Sequence, residues 1–99
     1  MFYAAKCYWP GVTAAEVRRA AVRAAREAET ASRPVGDVAY VGSVLFPDDA
    51  LVLCFFEAPS SAAVQKVSRR AGIPCERVMG SVWLARPGFE WSLACRSLD

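Results

Sequence analysis

Residues 51–74 read LVLCFFEAPSSAAVQKVSRRAGIP. An apolar run ends at Glu57, and Ala58-Pro59 stops it because proline cannot continue a central strand. Ser60 or Ser61 then stands where a helix N-cap is wanted, and Ala63, Val64, Val67 and Ala71 come after it at helical spacing. Gly72 supplies the left-handed residue that closes such a helix, with Pro74 just beyond it. The stretch therefore predicts a buried strand over Ala50–Ala58, a sharp turn and an amphipathic helix.

Working back toward the N-terminus, Pro47-Asp48-Asp49 makes a turn, and Asp37–Phe46 (DVAYVGSVLF) is rich in β-branched and aromatic residues. The two runs predict a hairpin. Before it, Thr13-Ala14-Ala15-Glu16 is a capping box, and Val17, Ala20, Ala21, Ala24, Ala28 and Ala31 form a narrow apolar stripe ending at Arg33-Pro34. Met1–Trp9 predicts a first strand stopped by Pro10-Gly11, and Val78–Ala85 a fourth, stopped by Arg86-Pro87-Gly88. The order βαββαβ with right-handed crossovers predicts an α+β, ferredoxin-like domain over residues 1–86. Its four-stranded antiparallel sheet would carry both helices on one face. Residues 87–99 keep Phe89, Trp91 and Leu93, so this tail is expected to pack on its own domain or on a partner. With no sequence left to cover the second sheet face, a homodimer of the α/β-barrel type is expected.

Composition narrows the function. A chain of 99 residues with 55% hydrophobic side chains is a single globular domain. A net charge of +2, with Arg18, Arg19, Arg23 and Arg26 interrupted by Glu16, Glu27 and Glu29, argues against a nucleic-acid partner. No stretch reaches the ~18 apolar residues of a membrane span, and no signal-peptide pattern opens the chain, so a cytoplasmic protein is expected. There is no histidine, which removes Ser-His and Cys-His nucleophile activation and the commonest transition-metal ligand.

Alternation sorts the strand residues if charged side chains avoid the helix-packed core. Lys6, Tyr8, Val41, Ser43, Phe55, Glu57, Ser81 and Trp83 then face the open side as a mostly apolar, aromatic cavity. In it, Lys6, Tyr8 and Glu57 are the candidate catalytic groups, with Glu57 as acid/base unless it is tied in a salt bridge to Lys6 across the sheet. Val41, Ser43, Phe55, Ser81 and Trp83 are the candidate ligand contacts. Cys7 and Cys54 fall together on the helix side, either as a soft-metal or redox pair or as small buried thiols. Cys75, next to Pro74, is expected nearer the surface, with no resolving cysteine in view.

These residues support competing functions. The first is a homodimeric protein binding a small ligand, or alternatively a metal, in the sheet cavity. The second is a cofactor-independent enzyme on the same scaffold, an isomerase, cyclase, decarboxylase or oxygenase acting on a small aromatic or polyketide-like compound. A purely structural role through the apolar tail is a third.

The segment CFFEAPSSAAVQKVSRRAGIPCERV resembles the signature of a family of small, mostly bacterial domains of unknown function that includes an actinobacterial nickel-binding protein. Cys54, Glu57, Ala58, Pro59, Ala71, Gly72 and Pro74 carry the match, and Trp9-Pro10 fits more loosely. Where relatives often have Glu-Arg in strand one, this chain has Lys6-Cys7. The resemblance spans most of residues 1–85. It implies a dimeric α/β-barrel fold and raises nickel binding, whereas the residues themselves call for no cofactor.

Overall fold

The computed structural model of the protein describes residues 1–31 and 37–84. The expected Arg33-Pro34 helix stop and the 87–99 tail lie outside them. The element order is β1 (Phe2–Tyr8), α1 (Ala14–Ala31), β2 (Ala39–Phe46), β3 (Leu51–Glu57), α2 (Ser61–Arg70) and β4 (Cys75–Ser81), with a short 3₁₀ turn, Pro47–Asp49, inside the hairpin. The strands form one antiparallel sheet in the order β2-β3-β1-β4. This is the ferredoxin-like α+β arrangement.

The local signals act as their chemistry requires. The Glu16 amide donates to Thr13 Oγ1 at 3.1 Å, and the Thr13 amide donates back to Glu16 Oε1 at 3.2 Å, so α1 opens with a reciprocal capping box. In α2 the cap is Ser60, whose side chain accepts from the Ala63 amide at 3.2 Å. At the other end Gly72 takes a φ of +72°. Its amide donates to Arg69 O at 3.1 Å, and the Ile73 amide donates to Ser68 O at 2.9 Å. That pair of bonds is a Schellman motif, and Ile73 completes it by being buried.

The core lies between the sheet and the two helices. Strict alternation sends Tyr3, Ala5 and Cys7 of β1 and Val52, Cys54 and Phe56 of β3 to this side, where all are buried. Ala20, Ala24 and Ala28 form the buried stripe of α1, and Val64 and Val67 that of α2. Alanine at each contact lets α1 lie close to the sheet. The Arg23 Nε donates to Ala71 O at 2.7 Å, which ties α1 to the C-terminal end of α2 and supplies a cation where that helix's carbonyls need one.

Three expectations need correction. The fourth strand begins at Cys75, three positions before Val78, and ends at Ser81. Ser81 pairs with Phe2, the first residue of β1, so beyond it the strand runs out of neighbour and Val82–Leu84 leave the sheet. Ser43 lies on the core side, opposite Cys54. The cause is a register shift between Tyr40 and Gly42, where Val41 is the extra residue, and one extra residue reverses the facing of the rest of the strand. Finally, Glu57 does not stand across from Lys6. Its partners are Phe2 in β1 and Ala39 in β2, while Lys6 sits between Leu53 and Arg77.

Candidate functional site

The side of the sheet away from the helices has two ends of different character. At the Glu57 end the rings of Phe2 and Phe55 stack with centroids 5.6 Å apart, and Trp83 tilts over Phe2 at 4.3 Å. Ala4, flanked by Phe55 and Met79, is only 5% exposed beneath these larger neighbours. Ser81 is directly opposite Phe2, with its hydroxyl donating to the Met79 carbonyl at 3.2 Å. Glu57 lies at the rim, and its carboxylate is 3.8 Å from the Met1 amino group.

At the other end, Lys6, Tyr8, Asp49, Leu51 and Glu76 line a cavity of about 520 Å³. Tyr8 is 58% exposed there. Level with Lys6 and Tyr8 the rest of the face is apolar: Leu53, Val44 and Phe46 are all partly or largely in solvent. Val41, at the bulge, is exposed as well.

Of the sequence candidates, Lys6 and Tyr8 are thus brought together, and so are Phe55, Trp83 and Ser81. Glu57 belongs to the second group. Phe2 and Lys6 are four residues apart on one strand, which separates Glu57 from Lys6 by roughly 13 Å. An acid/base centre combining Glu57, Lys6 and Tyr8 is therefore not assembled within one protomer. Asp49 and Glu76, which no motif singles out, line the Lys6 cavity. Asp49 comes from the hairpin turn, and Glu76 is the extra residue of a second register shift, between Lys6 and Cys7 in the β1–β4 pairing.

The core side holds the chemistry of the thiols. Cys7 is opposite Cys75 in β4, and Cys54 is one pleat away in β3, opposite Ala5. Cys7 and Cys54 are 0% and 3% exposed. Ser43 donates its hydroxyl to the Cys54 sulfur at 3.2 Å, and Tyr40 OH is 2.6 Å from the same Ser43 oxygen. The Cys7 thiol donates to the Ala5 carbonyl at 3.6 Å. Its closeness to Cys54, opposed by burial and helped by the Ser43 hydroxyl, lowers the Cys54 thiol to about 7. The same contact, together with burial, pushes Cys7 far up. Burial raises Cys75 and Tyr40.

A four-stranded antiparallel sheet in the order β2-β3-β1-β4, with both described helices on one face, defines a ferredoxin-like α+β protein. The chain belongs to the nickel-responsive SCO4226-like protein family, whose model matches residues 6–80. The crystal structure of SCO4226 from Streptomyces coelicolor A3(2) is similar, with a TM-score of 0.66 and 22% sequence identity over 86% of this chain and 100% of that one. Identity at that level speaks to the fold. No curated protein matches the sequence.

The family's name raises nickel, and the donor set can be tested against it. Among the described residues no group of three or more Cys, Asp or Glu side chains is placed to hold a metal ion, and the sequence contains no histidine. Of the Cys7–Cys54 pair, only Cys54 ionises readily. The described residues of one protomer do not fit a nickel centre.

Proposed function

We propose that the protein is a homodimeric binding module that holds a small molecule against the open sheet face, between two copies. The observation that supports this most strongly is the face itself. Phe2, Phe55, Trp83, Leu53, Val44 and Phe46 form a continuous apolar surface that no helix of the described chain covers. Exposed apolar surface on this scale usually marks an interaction site. The face is also graded in chemistry. A stacked aromatic end suits a flat apolar ligand, and the Lys6 and Tyr8 end offers donors to a polar group on the same molecule. The reading is of binding rather than catalysis, because Glu57 has neither Lys6 nor Tyr8 of its own protomer within reach. It uses no metal.

The test is binding of an anilinonaphthalene sulfonate dye, which pairs a flat apolar body with an anionic group, read by its fluorescence. Saturable binding that Phe55→Asp abolishes is the expected outcome, with the fold of the variant checked by circular dichroism. Equal binding by the two proteins, or none by either, would remove the basis for the reading.

A further inference from the structure

Cys75 is half-buried on the edge strand β4, and it lines a pocket of about 260 Å³ between α2 and β4. Gln65, Arg69, Glu76 and Arg77 share that pocket, so it is polar and carries two guanidinium groups. Directly across the sheet from Cys75, on the same face, is the fully buried Cys7. Residues paired across antiparallel strands have Cα atoms about 4.5–5.5 Å apart, inside the roughly 4.4–6.8 Å span of disulfides. The three sulfurs of Cys75, Cys7 and Cys54 also sense one another electrostatically. The described residues therefore contain an accessible thiol, a resolving thiol behind it and a third thiol behind that.

We infer that Cys75 and Cys7 form a reversible dithiol–disulfide site, entered through the α2–β4 pocket and oxidised by small carboxylate-bearing disulfides of the glutathione class. Arg69 and Arg77 are the groups suited to the carboxylates. In the first step the Cys75 thiol gives up its proton and its sulfur attacks the small disulfide. A bond forms between Cys75 and one half of the oxidant, the original S–S bond breaks, and the other half leaves as a thiolate that takes up a proton. In the second step the Cys7 thiol gives up its proton and its sulfur attacks the Cys75 sulfur. The Cys7–Cys75 bond forms, the mixed disulfide breaks, and the second small thiolate leaves and takes up that proton. Two protein thiols are oxidised, and one small disulfide is reduced to two thiols. The Cys75 and Cys7 side chains lie on the side of the sheet opposite the ligand face, although Glu76 lines the cavities of both.

The experiment treats the folded full-length chain with oxidised glutathione, in the wild type and in a Cys95→Ser variant, and reads intact mass and the peptide map. The expected product in both is lighter by two hydrogens, carries a Cys7–Cys75 link and returns to the starting mass with dithiothreitol. Cys7→Ser should stop at one glutathione adduct on Cys75, and Cys75→Ser should form neither adduct nor link. The wild-type map decides the matter even if a variant does not fold. A persistent adduct on wild-type Cys75, a link joining any other pair, or a folded protein that reacts only after denaturation would overturn the inference.

Discussion

The Ser43 hydroxyl donates to the Cys54 sulfur across 3.2 Å, and Tyr40 completes the chain by meeting Ser43 at 2.6 Å. Ser43 has one proton and spends it on the sulfur, so Tyr40 is the donor to the Ser43 oxygen. Ser43→Ala removes both bonds at once. It should move the Cys54 titration up toward the ordinary thiol value and destabilise the protein by about 1 kcal/mol. Ultraviolet thiolate absorbance and urea denaturation measure the two effects, and an unmoved Cys54 titration would show that the hydroxyl does not act on the sulfur.

The thiol pair also gives stability a pH dependence with a definite sign. Cys54 is depressed from 9.0 to about 7 on folding, so its contribution is present above 9 and is lost as pH falls through about 7. Cys7 is raised from 9.0, so its contribution is present below that value and lost as pH climbs beyond it. Stability should therefore rise from pH 7 toward 9 and decline above 9. Denaturation midpoints across this range check it, and Cys54→Ala should flatten the rising limb.

Ser68 is fully buried on α2, and its hydroxyl has no hydrogen-bond partner among the described residues. Ser68→Ala removes an unsatisfied group and improves helix propensity, so it should stabilise by about 1 kcal/mol. In a domain of this size that raises the thermal midpoint by roughly 4–8 °C. A lowered midpoint would mean that the hydroxyl has a partner after all.

Ala50 carries a φ of +51° at the end of the hairpin turn, a left-handed conformation that a Cβ disfavours. Its carbonyl accepts from the Trp9 amide at 2.7 Å, and that bond does not depend on the side chain. Ala50→Gly should keep the turn and stabilise by about 0.5–1 kcal/mol, the relief of strain exceeding glycine's added entropy cost. Thermal melts test this, with destabilisation as the contrary result.

The fold is legible in the sequence because its punctuation is local. The Thr13–Glu16 box, the Ser60 cap, the Gly72 stop and the Pro47–Asp49 turn each act within a few residues of themselves. The facing of β1 and β3 is legible because Lys6 and Glu57 mark the open side of two strands that alternate without a bulge. That of β2 is not, because the Val41 bulge has no sequence mark, and alternation alone puts Ser43 on the wrong face. The charged pair Glu76-Arg77 makes the start of β4 look like loop, which hides the pairing of Cys75 with Cys7. Register is a long-range property. That the last residue of β3 meets the first of β1, and so Phe2 rather than Lys6, depends on strand order and not on either strand alone.

The central claim is that the open face is shared by two copies, and sedimentation equilibrium of the full-length protein over a range of micromolar concentrations tests it most directly. The expected result is a species of twice the chain mass that Phe55→Asp, placing a charge among Phe2, Ala4 and Trp83, reduces to a monomer with unchanged circular dichroism. A wild-type protein that remains monomeric at every concentration would contradict it.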